Sequence, residues 1–342
     1  MKYPLLLLAD PSHCLRYRVF KELLEREDDE EVLECGKLRE EDPALLSLLG
    51  QQNPDGSWSR LSSVQGGDYN KNIATSQALR FLAMAGFDPD YGPAAKGIEY
   101  LFSTQENDGS WPLPSSDNAE GAGKYTSVSL QTSLPLQGLA AVGLAEDERC
   151  QKAYDWLLGQ RLPDGSWPTG KAGNIYGYVA GYRRLAHSRW GCRSNTTSAV
   201  LCLANHPELR NSDEAAKGLD HLLGRETREK KQMGSDLAVL TGKVPLKGFF
   251  TFYAKFDLLL QLQLCAKIGA GPDDKRIDDL ISFFEHERNG YGLWVPSAAP
   301  ELSSWATLQI LSALKNLKKA GFKALSGLST PFAPYTRQRE RY

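Results

Sequence analysis

Two carboxylates and one arginine-rich connector are where the side-chain types and spacing of this 342-residue sequence could do chemistry. Asp257 lies inside FTFYAKFDLLLQLQL. A carboxylate in so apolar a run must find a partner or hold its proton above the ordinary range, and a partly desolvated acid can serve as a proton donor. The competing reading is a buried aspartate hydrogen-bonded to a neighbouring helix. Asp68, in GGDYNKN at the head of an apolar helix, is the second acid; as an ordinary cap it would do no chemistry. The connector GNIYGYVAGYRRLAHSRWGCRSNTT, Gly173 to Thr197, interleaves Tyr176, Tyr178, Tyr182 and Trp190 with Arg183, Arg184, Arg189 and Arg193. Arginines grip anionic oxygens in pairs and aromatic faces attract cations. The connector therefore reads either as a lid over a binding site or as a long surface loop anchored by its aromatics.

The same connector holds His187 and Cys192, and Cys202 and His206 follow on the next helix. Imidazole and thiolate are zinc donors, and His187 with Cys192 would be the ligands of such a site; against it, Cys202 and His206 fall on a buried helix, where cysteine is common for packing reasons alone. Aromatic residues gather at the heads of the apolar helices: Tyr69, Tyr125, Phe249, Phe250, Phe252, Tyr253, Phe256 and Trp305. They either fill a central space or line it for a ligand.

The elements that must position these groups repeat. QNPDGSW, QENDGSW and LPDGSW end at Trp58, Trp111 and Trp167. An amphipathic helical segment precedes each turn: in AAKGIEYLFSTQ, Ile98, Leu101 and Phe102 fall at helical spacing on one face. Asp42 and Asp147 are placed to cap two of these segments, and Pro43 suits the first helical position. A more apolar helix rich in Ser, Thr, Ala and Leu follows each turn, starting near Asn72, Tyr125 and Asn195. The glycine meets the turn's positive φ and the aspartate bonds the backbone beyond it. The tryptophan covers the helix end, and the glutamine before the turn satisfies free backbone groups there. Two degraded units are read at Gly218 to Gly269 and at Arg276 to Gly321, and SHCLRYRVFKELLER supplies a sixth. The pattern predicts an all-α fold of about six helix pairs in two concentric rings, an α/α toroid. Its expected division is an N-terminal helical segment over 1–40, the toroid over 41–325 and an irregular tail over 326–342.

Lysine and arginine number 40 against 42 acidic residues, a formal charge of -2, which gives no basic footprint for nucleic acid. Six cysteines stand without any C-x-x-C pair, and PLLLLA near the start is too short to span a bilayer. A reduced, cytoplasmic protein is expected, with peripheral membrane contact left open.

KGIEYLFSTQENDGSW, Lys96 to Trp111, resembles the QW repeat of the squalene cyclase and protein prenyltransferase β-subunit superfamily, matching it at Lys96, Gly97, Tyr100, Leu101, Gln105, Gly109 and Trp111. The resemblance spans roughly Asp42 to Lys319 and implies an inner ring around an apolar cavity that holds isoprenoid chains. The sequence departs from the family's known reaction centres. It has no D-x-D-D acid tetrad, no Asp-x-Cys pair with a distant histidine for zinc, and one toroid only. DDKRIDD, Asp273 to Asp279, superficially resembles the aspartate-rich magnesium motif of class I prenyl enzymes, and its place at the start of an outer helix favours Asp273 or Asp274 as an N-cap instead. The sequence itself requires no cofactor; zinc and magnesium are the metals these motifs would take.

The resemblance implies a terpene or triterpene cyclase-like, or prenyl-transfer-like, enzyme with an isoprenoid in its central cavity. Asp257 or Asp68 would be the acid. Phe250, Tyr253, Phe256 and Trp305, with Tyr176, Tyr182 and Trp190, would face the ligand, and Arg183, Arg184 and Arg189 would gate the cavity or hold a diphosphate. The alternative is a non-catalytic toroid that binds a hydrophobic ligand or a partner protein.

Overall fold

The computed structural model describes residues 5–27, 29–59, 67–111, 125–127, 129–168, 171–172, 175–176, 192–223, 232–244, 257–271 and 274–319. Thirteen α-helices run through them: α1 His13–Arg18, extended by a π turn over Val19–Leu23, α2 Glu30–Leu38, α3 Pro43–Leu49, α4 Gly67–Met84, α5 Gly92–Ser103, α6 Ser129–Ala141, α7 Glu148–Gly159, α8 Arg193–Asn205, α9 Asp213–Leu222, α10 Ser235–Leu240, α11 Leu258–Ile268, α12 Lys275–Glu287 and α13 Ser303–Lys319. The connectors add a small antiparallel sheet of three short strands, β1 Tyr125–Ser127, β2 Lys171–Ala172 and β3 Ile175–Tyr176. It leaves the class all-α.

Five helices form the inner ring. α4 packs on α6, α6 on α8, α8 on α11 and α11 on α13. The ring closes where α13 meets α1 and its π turn, and Gln309 of α13 reaches Met84 of α4. Helices α5, α7, α9 and α12 lie outside, each against one or more inner helices, and the chain is an α/α toroid. The N-terminal residues Leu7, Leu15, Val19 and Leu23 belong to the same buried cluster as the ring helices. Sidedness follows from patterning: α7 buries one stripe, Cys150, Ala153, Tyr154 and Leu157, whereas α6 is buried from Ser129 to Ala140.

The serines, threonines and glutamines of the inner helices tie the ring together. Ser133 and Ser198 share a hydrogen bond of 2.6 Å, Gln137 donates to Ser198, and Cys202 donates its thiol hydrogen to the carbonyl of Ser133. Gly138 lets α6 approach α4 closely, since a Cβ there would stand 2.7 Å from Cα of Ser76.

The Asp-Gly-Ser-Trp turns join the rings in one recurring geometry. Each indole Nε1 donates to a carbonyl at the end of the preceding outer helix: Trp58 to Leu48, Trp111 to Leu101 and Trp167 to Leu157, at 2.8 to 2.9 Å. Each tryptophan backbone N–H donates to a threonine of the following inner helix, Thr75, Thr132 or Thr196. Asp55, Asp108 and Asp164 accept the N–H and hydroxyl of the serine two residues on. Gln52 and Gln105 reach from their own turn to the next outer helix, donating to the carbonyls of Pro93 and Arg149. The degraded unit around Asn289 builds the same joint: Trp294 donates its indole N–H to Phe284 and its backbone N–H to Thr307. Asn289 takes the aspartate's place, accepting from Tyr291 and Leu293.

Candidate functional site

Inner-helix positions that keep solvent exposure include Arg80 and Met84 on α4, Asn205 on α8, Gln263 and Lys267 on α11, and Trp305, Gln309 and Ser312 on α13. Within a helix they recur three or four residues apart, one stripe each. The stripes meet across the ring, through Gln309 to Met84, Lys267 to Asn205, and Ser312 to Glu22 of the π turn at 2.6 Å. Towards the C-terminal ends of the inner helices these partly exposed side chains thus include amide, hydroxyl and cation.

Asp257 stands at the other end of α11. It is 1 % exposed and caps the helix rather than lying within it. Oδ1 accepts the N–H of Gly234 at 2.9 Å and of Leu259 at 3.0 Å, and Oδ2 accepts the N–H of Asp236 at 2.7 Å. Burial is the largest influence and raises its pKa from 3.8 to about 6, the charge of Asp236 pushes the same way, and the three N–H donors pull it back. The site can hold a proton at mildly acid pH and welcomes the carboxylate left when it departs. Asp236 in turn forms a two-pronged ion pair with Arg80, at 3.2 and 2.5 Å.

Trp305 is half-buried in the first turn of α13, at the same end of the inner ring as Asp257. Asp68 sits in the first turn of α4 and Tyr176 in β3; their side chains lie outside the description, as does that of Tyr125. Tyr182, Arg183, Arg184, His187, Arg189, Trp190, Phe250, Tyr253 and Phe256 lie outside the described residues.

The described residues offer no metal cluster of three or more His, Cys, Asp or Glu side chains. Cys192 precedes α8 and donates its backbone N–H to the carbonyl of Trp167 at 2.7 Å. Cys202 is fully buried, and burial holds its thiol well above the usual range. His206 spends Nδ1 on the N–H groups of Glu208 and Leu209 and packs edge-on against Tyr154. In DDKRIDD, Asp274 is the cap of α12 and pairs with Arg276, which also holds Asp220 of α9 at 2.6 Å. All six cysteines are unpaired thiols. No helix among the described residues is long and apolar enough to cross a membrane.

Sequence reasoning missed Arg80, Asp236 and Lys267. The available signal was a lone cation in each of two apolar helices, QALRFLAMAG and LQLCAKIG.

The squalene-hopene cyclase C-terminal domain model matches residues 37–178 and, in a second match, 68–268. The squalene–hopene cyclase of Zymomonas mobilis is 32% identical over 127 residues, 36% of this chain and 18% of that protein. The lanosterol synthase of Candida albicans is 28% identical over 162 residues, 44% of this chain and 20% of that protein. The matched segment is therefore about a fifth of each curated relative. Among solved structures, a protein from Actinoplanes aligns with a TM-score of 0.44 and 16% identity over 90% of both chains. A type II terpene cyclase from Scytonema, in complex with geranylgeranyl dihydroxybenzoate, aligns with a TM-score of 0.37 and 14% identity over 80% of this chain and 95% of that one.

Proposed function

Because the chain belongs to the squalene-hopene cyclase C-terminal domain family, we propose that it is a terpenoid cyclase-like enzyme whose ring encloses an isoprenoid hydrophobe. The family match over 68–268 carries this reading, because that segment runs from α4 to the end of α11 and so supplies four of the five inner helices. Asp257 is the acid of the reaction. Its carboxyl proton passes to a carbon–carbon double bond, whose π electrons form the new C–H bond and leave a carbocation. Three backbone N–H groups then hold the carboxylate, and the proton lost from the final cation restores the acid. Trp305 offers its face to cationic charge at the same end of the ring.

One observation favours a second reading. Both oxygens of Asp257 are engaged by backbone, as a purely structural cap would be, and the ring would then bind a hydrophobic ligand or a partner protein without turnover.

Incubation with squalene and with geranylgeranyl diphosphate separates the two. Native mass spectra report ligand adducts, and gas chromatography with mass detection of the extract reports cyclised isomers, which share the substrate's mass. The enzyme reading expects a cyclised product that vanishes in Asp257→Asn while the adduct persists. An adduct without product supports the binding reading. Neither adduct nor product with either substrate overturns both isoprenoid readings.

A further inference from the structure

From α4 to α13, α10 is the one helix among the described residues that belongs to neither ring. Its surroundings come from three places. Just before it, the carbonyl of Gln232 accepts the N–H of Leu258 at the start of α11, at 2.8 Å. Gly234 lies against the connector that leads into α13, since a Cβ on it would stand 3.1 Å from Cβ of Pro296. The helix itself packs on α4, where its Asp236 pairs with Arg80. α13 stands between α11 and α4 in the ring, yet this helix of six residues, about 9 Å long, engages both.

Its depth follows from Asp236. The backbone N–H of Asp236 bonds to Asp257 at the head of α11, at 2.7 Å, and its carboxylate bonds to Arg80 at 3.2 Å. Thr75 marks the head of α4, where it accepts the N–H of Trp58, and Arg80 is five residues beyond it, about 7.5 Å further down that helix. Asp236, Leu237, Ala238, Val239 and Leu240 are all buried. A helix reaching from one head to a deeper level of another, and buried along its length, sits in the mouth of the ring.

Two kinds of contact hold it there. Leu237, Ala238 and Leu240 join the same hydrophobic core as the ring helices. The first turn is tied by polar bonds alone: the N–H groups of Gly234 and Asp236 to Asp257, and the carboxylate of Asp236 to Arg80. Six residues are too few for a helix to persist without such support. A hydrophobic ligand entering the ring replaces the apolar contacts in kind, so the polar bonds decide whether the helix stays. We propose that α10 is a displaceable plug of the ring, latched by Arg80 and Asp257, which moves aside to admit the ligand. Its N–H groups cover both oxygens of Asp257, so the same movement bares that carboxyl group. The plug stands on the geometry alone; only the nature of its ligand rests on the isoprenoid reading.

Hydrogen–deuterium exchange of the full chain, resolved by peptide, tests the plug. In wild type the amides of Asp236 to Leu240 are expected to exchange at least about tenfold faster than the buried turns of α8 and α11, because α10 opens without the ring. Arg80→Met is expected to speed α10 by about tenfold or more. Arg80→Met combined with Asp236→Asn leaves no orphaned charge and keeps the test decisive should the single variant fail to fold. Arg276→Met, which breaks the ion pair between α9 and α12, controls for general destabilisation and is expected to leave α10 as in wild type. Stopped-flow tryptophan fluorescence with geranylgeranyl diphosphate is expected to show association about tenfold faster in the double variant. Exchange of α10 as slow as that of α8 and α11, an α10 rate unchanged by loss of Arg80, or equal association rates in wild type and double variant overturns the plug. The expected exchange with no association of the probe in either protein supports the plug and overturns the isoprenoid reading instead.

Discussion

Oδ2 of Asp257 accepts the backbone N–H of Asp236 at 2.7 Å, and the carboxylate of Asp236 pairs with Arg80. Two acids 21 residues apart thus stand together in the ring's interior, one neutralised by a cation 156 residues away in sequence and the other held by backbone dipoles. The backbone N–H of Asp236 lowers the pKa of Asp257 while its carboxylate charge raises it, so Arg80 bears on the candidate acid through an intermediate carboxylate. The interior achieves this with no polar side chain that the apolar pattern of α11 alone would reveal.

Arg80→Met tests the pair. It leaves Asp236, which is 9 % exposed, without its counter-ion, and breaking a buried pair by one partner costs about 3–5 kcal/mol. Asp236→Asn added to Arg80→Met removes the orphaned charge and is expected to recover much of that loss. Urea denaturation of the two single variants and the double variant reads the coupling. Additive losses would show that the two side chains do not act as a pair.

The raised pKa of Asp257 sets a pH dependence of stability. Between the unfolded value of 3.8 and the folded value of about 6 the folded state binds more protons, so this group's contribution falls as pH rises through that window and is flat above it. Asp257→Asn is expected to remove that segment of the curve and keep the rest. Thermal midpoints of both proteins from about pH 4 to pH 7 check it. An unchanged slope in the variant would mean that another group titrates there.

Much of the ring was legible because its joints are local. The caps of Asp42 and Asp147, the Asp-Gly-Ser turn bonds and the indole bond act within a dozen residues of themselves and follow from residue types at fixed offsets. The acid at Asp257 was legible as a buried carboxylate, but its place as the cap of α11 was not, because the apolar run FTFYAKFDLLLQ carries no break in pattern where the helix begins. Lys267 and Arg80 were illegible for a different reason. Arg80 pairs with Asp236, 156 residues on, and Lys267 bonds Asn205, 62 residues back, and only the closed ring brings those together. The degraded turn at Asn289 shows the converse: its sequence had lost the aspartate and serine, yet asparagine supplies the same acceptor to the backbone two and four residues on.

The threonine under each tryptophan gives a third prediction. Thr132→Val keeps shape but removes the acceptor of the Trp111 backbone N–H, a buried bond of 3.2 Å. A buried donor left unsatisfied costs about 1–3 kcal/mol. Thr132→Ser restores the hydroxyl and should recover most of the loss. Urea midpoints of the two variants read this; a Thr132→Val variant as stable as wild type would show that the bond contributes nothing.

Glycine at the turn is required twice over, and two substitutions separate the reasons. Gly56 and Gly143 both hold positive φ, +86° and +100°, so alanine at either is strained by about 1–2 kcal/mol. At Gly143 a Cβ would meet nothing within 4 Å, whereas at Gly56 it would stand 2.4 Å from the carbonyl oxygen of Lys96 on the next outer helix. That oxygen is backbone and cannot swing aside, so α5 must shift relative to α3, at an overpacking cost of about 1–3 kcal/mol more. Gly143→Ala is therefore expected to cost only the conformational part, and Gly56→Ala the sum, with the excess falling on the joint between consecutive outer helices. Equal denaturation midpoints for the two variants would show that the turn at Gly56 can move away from α5 freely, and that the close approach of turn and helix contributes nothing to holding the outer ring together.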